Sequence, residues 1–352
     1  MEARTPTAPL ALSESEALVM SRMLAAGLEP EEERIRLTGL ARSTFQEAKR
    51  RMYSRGWLRD RYLPALSLVG VPTVSFLLTR AFAERVQETV KRLQEDRETV
   101  HLWVAEETIF AVVFHRAVNS AKALGRAVAE GALGSDSFLL SVDPSAPSVP
   151  VYFDFEGIVA QWTGSASPAR YPRPLPHVAA SRTIFAPLTG LDPLLSRPFL
   201  ASTQGRAEHL LGPAGLPRSQ KRLLLSGKVE WRVMPSLSRL PPFHGVQLSH
   251  LVLARGRLRP GVRLLDLYRT LAQELQAHPF LLVSDTEHVL VGGVAVSRTE
   301  GTAEEAPGEP TATLPDVLAT QLEGIELTRL PLRALRSPLF HRYDRLSGPP
   351  PR

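Results

Sequence analysis

Leu40-Ala41-Arg42-Ser43-Thr44-Phe45-Gln46-Glu47-Ala48-Lys49-Arg50-Arg51-Met52 is the stretch on which the reading of this 352-residue chain turns. Phe45, Ala48 and Met52 recur at i, i+3 and i+7, which predicts an amphipathic helix with that face in a core. Ser43 with Gln46, or Thr44 with Glu47, has the capping-box spacing, so the helix is expected to start there with its free N–H groups pointing outward. Lys49, Arg50 and Tyr53 fall elsewhere on the wheel. Upstream, Thr38-Gly39 reads as a tight turn and Glu31–Leu37 as a short helix after Pro30. Before it, Ser13–Ala26 is a first helix, opened by Ser13 or Ser15, with Leu18, Met20, Met23 and Leu24 as its apolar face. Downstream, Gly56 stops the helix, and Trp57–Leu63 alternates like a strand with basic residues on one face.

The charge is placed unevenly. Net charge is +6 with pI ≈ 9.9. Between Arg34 and Arg61 nine basic residues face only Glu47 and Asp60, a window of +7. Arg206–Arg232 carries +4, so the remainder of the chain is acidic. Arginine outnumbers lysine 37 to 5, and with 5 Ile and 1 Asn this ratio fits a GC-rich genome as well as phosphate binding. Genome bias does not segregate charge into two patches. The segregation is the evidence for an anionic polymer as partner.

This layout resembles winged helix-turn-helix transcription regulators over residues 13–66. The resemblance implies a recognition helix in a major groove and a basic wing beside the backbone. The candidate DNA-binding residues are Arg42, Ser43, Thr44, Gln46, Lys49 and Arg50 on the helix, and Arg59 and Arg61 on the wing. Gln46 and the other polar residues suit base edges, and the arginines suit phosphates.

Next come strand, helix, strand, strand, helix, strand: Thr73–Arg80, Phe82–Glu95, Thr99–Ala105, Thr108–His115, Asn119–Ala132 and Ser137–Val142. That order is the ferredoxin-like βαββαβ plan. A winged helix followed by such a domain resembles the Lrp/AsnC family of regulators. The family resemblance implies dimerisation through the second domain and sensing of small molecules there.

The chain then repeats itself. Leu40-Ala41-Arg42-Ser43 returns as Leu216-Pro217-Arg218-Ser219. Arg61-Tyr62-Leu63-Pro64 returns as Arg232-Val233-Met234-Pro235. Val246–Ala254, Val262–Ala277, Phe280–Ser284, His288–Val296, Pro315–Glu323 and Ile325–Leu332 then follow in the first unit's order. The fold class expected is therefore α+β, two winged helix-turn-helix domains each followed by a ferredoxin-like domain. The boundaries are 1–66, 67–143, a linker with an embedded strand at 144–190, 191–238, 239–335 and a tail at 336–352. The second head is shorter and interrupted by Pro217, so it is expected to be degenerate, with Arg218, Lys221 and Arg222 as its DNA-contact candidates.

Much chemistry is set aside. The absence of cysteine excludes disulfides, thiolate metal sites and cysteine nucleophiles. None of the nine histidines has metal-ligand spacing, and no cofactor is expected. His115, ending an apolar strand, reads as a core-edge histidine. Siroheme decarboxylases also look like paired Lrp/AsnC-type units, but of their His-Asn-Tyr motif only His101 survives in Val100-His101-Leu102-Trp103. The chain is accordingly expected not to be an enzyme, but a cytoplasmic, nucleoid-associated DNA-binding regulator. The alternative is an adaptor that uses its winged helices to bind proteins of the transcription machinery. Expected partners are double-stranded DNA, the chain's own second half or a second copy, and a small-molecule effector. The effector is placed at the hairpin tips, Glu106-Glu107 and Asp285-Thr286-Glu287. No membrane partner, membrane span or secretory leader is expected.

Overall fold

The computed structural model describes residues 11–25, 31–64, 73–142, 151–153, 229–263, 281–298 apart from Thr286, and 314–339, with Asp266, Leu267 and Thr270 in addition. It is an α+β structure with antiparallel sheets. Helices α1 (Glu14–Ala25), α2 (Glu31–Thr38) and α3 (Arg42–Ser54) lead into strand β1 (Leu58–Pro64). The first unit follows as β2 (Thr73–Arg80), α4 (Val86–Glu95), β3 (Thr99–Ala105), β4 (Thr108–His115), α5 (Val118–Ala129) and β5 (Asp136–Val142). After β6 (Val151–Phe153) come β7 (Val229–Pro235), β8 (Val246–Leu258), β9 (Leu281–Ser284), β10 (His288–Arg298), α6 (Leu314–Gln321), β11 (Leu322–Pro331) and β12 (Arg336–Leu339).

The two large sheets share one plan. One runs β12-β3-β4-β2-β5 and the other β11-β8-β10-β9-β6. In each, the first and third strands of the unit lie at the centre, and the second carries a fifth strand on its outer edge. That fifth strand comes from the other half. β6, which follows the first unit, pairs with β9, and β12, which follows the second, pairs with β3. Arg336–Leu339, assigned to the tail on sequence, is thus a strand of the first sheet. Each borrowed strand covers an edge whose N–H and C=O groups would otherwise be unpaired.

Strand alternation explains where the cores lie. On β2, Val74, Phe76 and Leu78 point to one face and Leu77 to the other. The first face packs with Trp103 and Phe110 against Leu251, Leu253, Leu281, Val283 and Leu290 of the second sheet, so the two sheets bury their helix-free faces in one core. The opposite face lies under Val86, Val90 and Leu93 of α4 and Ala127 of α5. Most of the helix expected at Val262–Ala277, the loop expected at Ala303–Thr313 and nearly all of 144–228 lie outside the described residues.

His115 is buried beneath α5, as a core-edge histidine should be. Its Nε2 lies 2.8 Å from Ser75 Oγ, and its Nδ1 lies 3.1 Å from Ser120 Oγ and 3.3 Å from Glu98 Oε2. The Arg116 backbone N–H donates to Glu98 Oε1. Burial of Glu98 works against its ionisation, but the bonds from His115, Ser120 and the Arg116 amide outweigh it and hold the carboxyl below its ordinary value.

Candidate nucleic-acid interface

The head is built around α3. Phe45, Ala48 and Met52 are fully buried and pack with Ala17, Met20 and Met23 of α1, Ile35 of α2 and Trp57. Ser13 caps α1 in a reciprocal box: its N–H donates to Glu16 Oε2 at 2.9 Å, and the Glu16 N–H donates to Ser13 Oγ at 3.3 Å. Gly39, at φ 68°, makes the turn between α2 and α3. Gly56, at φ 67°, ends α3, a backbone conformation that a β-carbon disfavours.

The start of α3 differs from expectation. The N-cap is Ala41, with no side-chain hydrogen bond. Neither capping box forms, because α3 begins at Arg42 and Ser43 and Thr44 lie inside its first turn. Gln46 donates to Glu31 at 2.6 Å, and Glu47 holds the Arg50 guanidinium at 2.9–3.0 Å. The first turn of α3 remains exposed, with Ser43 and Thr44 on the surface.

The electrostatics also differ from the charge count. Glu31-Glu32-Glu33 stands just before the +7 window, and α2 carries it onto the face of α3. Lys49 Nζ lies 2.5 Å from Glu31, and Arg42 lies 2.8 Å from Glu32. Arg51 and Arg55 turn inward to buried Glu16, at 3.6 and 3.8 Å. Partial burial works against ionisation of Glu31, but the Lys49 contact, with help from Gln46, keeps its carboxyl below the ordinary value. From Glu31 to Arg61 there are nine basic residues against five acidic ones. The pairing was readable as an acidic triplet one helix upstream, a signal that a window opened at Arg34 excludes.

The wing is not confined to one head. β1 pairs antiparallel with β7, with Leu58 opposite Pro235 and Arg61 opposite Arg232. Arg59 is exposed and sits beside Arg239 of the second half. Val233 and Phe243 complete the head's core, and the Leu12 N–H donates to Pro242 O at 2.8 Å. Arg218, Lys221 and Arg222 lie outside the described residues.

At the hairpin tips the carboxylates are engaged within their own units. Glu107 accepts from Arg80 at 3.1 Å, and Asp285 accepts the N–H groups of Glu287 and His288. The two halves are bridged nearby by Arg255, which binds Asp136 at 2.9 Å as well as Glu326 and lies over the Phe138 ring.

No protein-family model matches the chain, and no curated protein does. Among solved structures, a siroheme decarboxylase, NirDL, in complex with an iron-uroporphyrin III analogue aligns with 94% of this chain and 96% of its own at 10% identity and a TM-score of 0.49. A second structure of the same enzyme aligns over the same shares at 11% identity and a TM-score of 0.48. A structure of MtbAldR aligns with 37% of this chain and 93% of its own at 16% identity and a TM-score of 0.28. The expectation that the chain is not an enzyme is withdrawn, since structures of an enzyme align over 94% of it. Among the described residues no helix is long and apolar enough to cross a membrane.

Proposed function

We propose that this chain is a double-stranded-DNA-binding transcriptional regulator in which two winged-helix and ferredoxin-like halves are fused into an internal pseudo-dimer. The observation that carries the reading is α3 itself. It is fixed from behind by Phe45, Ala48 and Met52, and its uncapped first turn, with Ser43 and Thr44, faces solvent. Uncapped helix N–H groups suit a phosphate. Arg42, Gln46, Lys49 and Arg50 flank that turn, and Arg59 and Arg61 extend the surface along β1. Arg218, Lys221 and Arg222 form the weaker counterpart. The pseudo-dimer is supported by the shared strand order, the exchanged fifth strands, and the pairing of Arg61 with Arg232, which are equivalent positions in the repeat.

Fluorescence anisotropy with labelled genomic duplexes tests this reading. Lys49→Ala with Arg50→Ala weakens binding far more than Lys221→Ala with Arg222→Ala. It also flattens the salt dependence by about one unit of log–log slope for each phosphate no longer neutralised. Equal losses from the two double variants would remove the distinction between heads. One observation favours a second reading, the protein-binding adaptor: carboxylates already hold Arg42, Lys49 and Arg50. An adaptor shows no salt-dependent duplex binding, and that result would replace the DNA reading.

A further inference from the structure

Beside Trp103 a cavity of about 360 Å³ opens where four pieces of chain meet. They are β1 of the head, the end of β7 with the turn after it, the sheets at β3 and β8, and the turn between β11 and β12. Among the described residues four arginines line it, Arg59, Arg239, Arg333 and Arg336, and no carboxylate does. Its floor is apolar, with Trp103 2% exposed and Leu251 fully buried. Among the described residues none of the four guanidiniums has an ion pair, whereas Arg42, Arg50, Arg255 and Arg263 all do.

Arg239 lies against Gly56, its Nη1 2.7 Å from the place a β-carbon there would occupy. Burial and the neighbouring Arg239 push the Arg59 guanidinium down from its ordinary value. Like charges gathered over an apolar floor repel one another until a counter-charge arrives. Guanidinium forks match carboxylate and phosphate oxygens in pairs. A single inorganic anion meets part of this charge and leaves most of the cavity of about 360 Å³ unfilled.

We propose that this cavity binds a small molecule carrying two or more carboxylate or phosphate groups, spaced to meet several of the four arginines at once. The volume falls within the range of small-molecule sites. Such a ligand bridges Arg59 of the head to Arg333 of the turn before β12 and Arg336 at the start of β12. The site does not depend on the DNA reading, because Arg333 and Arg336 belong to no part of the proposed DNA surface.

Isothermal titration of the full chain tests the site at constant ionic strength. The probes are trimesate for carboxylates and hydroquinone bisphosphate for phosphates, with inorganic sulfate and neutral trimesamide as controls. One probe binds at one per chain, and the better of the two names the anion. Trimesamide does not bind, and sulfate binds more weakly. Arg333→Gln and Arg336→Gln, both at exposed positions, each weaken the probe about tenfold or more while leaving the melting curve in place. Failure of both probes, equal binding of sulfate, or unchanged affinity in both variants would overturn the proposal.

Discussion

Replacing Glu31 and Glu32 with glutamine is expected to strengthen duplex binding. In the free protein Glu31 holds Lys49 and Gln46, and Glu32 holds Arg42, so a phosphate reaching these groups must displace a carboxylate first. Ion pairs at such exposed or half-exposed positions are worth about 0.2–1 kcal/mol each. Two of them removed together give about 1 kcal/mol, or roughly a fivefold fall in Kd. The number of phosphates neutralised does not change, so the salt slope stays the same while the whole line moves to tighter binding. The gain must exceed that of Glu84→Gln with Glu88→Gln, which removes the same charge from exposed positions beside and on α4, outside the head. Anisotropy titrations across a salt series read both quantities. If the α2 variant, still folded, binds no better than the α4 control, the face of α3 is not the surface that meets DNA.

Three further outcomes follow from the packing. Phe45→Ala removes the fully buried side chain at the centre of the head's core and costs about 3–5 kcal/mol, read as a lowered denaturation midpoint of the head. Glu98→Gln removes the carboxylate that accepts from the Arg116 amide and lies 3.3 Å from His115 Nδ1, and lowers stability by about 1–3 kcal/mol near neutral pH. Because folding holds the Glu98 carboxyl below its ordinary value, its contribution in the native protein is complete above about pH 4.3 and fades as the pH falls through the lower folded value. Urea midpoints of the native protein and E98Q therefore converge in acid, and midpoints that stay equally far apart would refute the assignment. Ending the chain after Leu335 removes β12, bares the β3 edge, and lowers the melting temperature with concentration-dependent association, measured by light scattering.

Local signals carried most of the fold into view from the sequence. The i, i+3, i+7 spacing of Phe45, Ala48 and Met52 placed α3 and its buried face, since a helix's periodicity is a property of neighbouring residues. Short apolar runs rich in β-branched residues located β2, β3 and β4, and β8 to β11 take the same strand order as β2 to β5. Charge counting located the basic head but misjudged it, because Glu31 and Glu32 meet Lys49 and Arg42 only once α2 folds back across α3. The capping boxes failed because α3 begins at Arg42, ahead of Ser43 and Thr44. Pairings between distant segments were decided by tertiary structure alone. β1 joins β7, β12 crosses to β3, and β6 crosses to β9, because an unpaired strand edge takes whichever segment the folded chain brings alongside. The four arginines around Trp103 are the extreme case. They come from the head, the turn after β7 and the turn before β12, far apart in the chain, and only the meeting of those segments makes them a site.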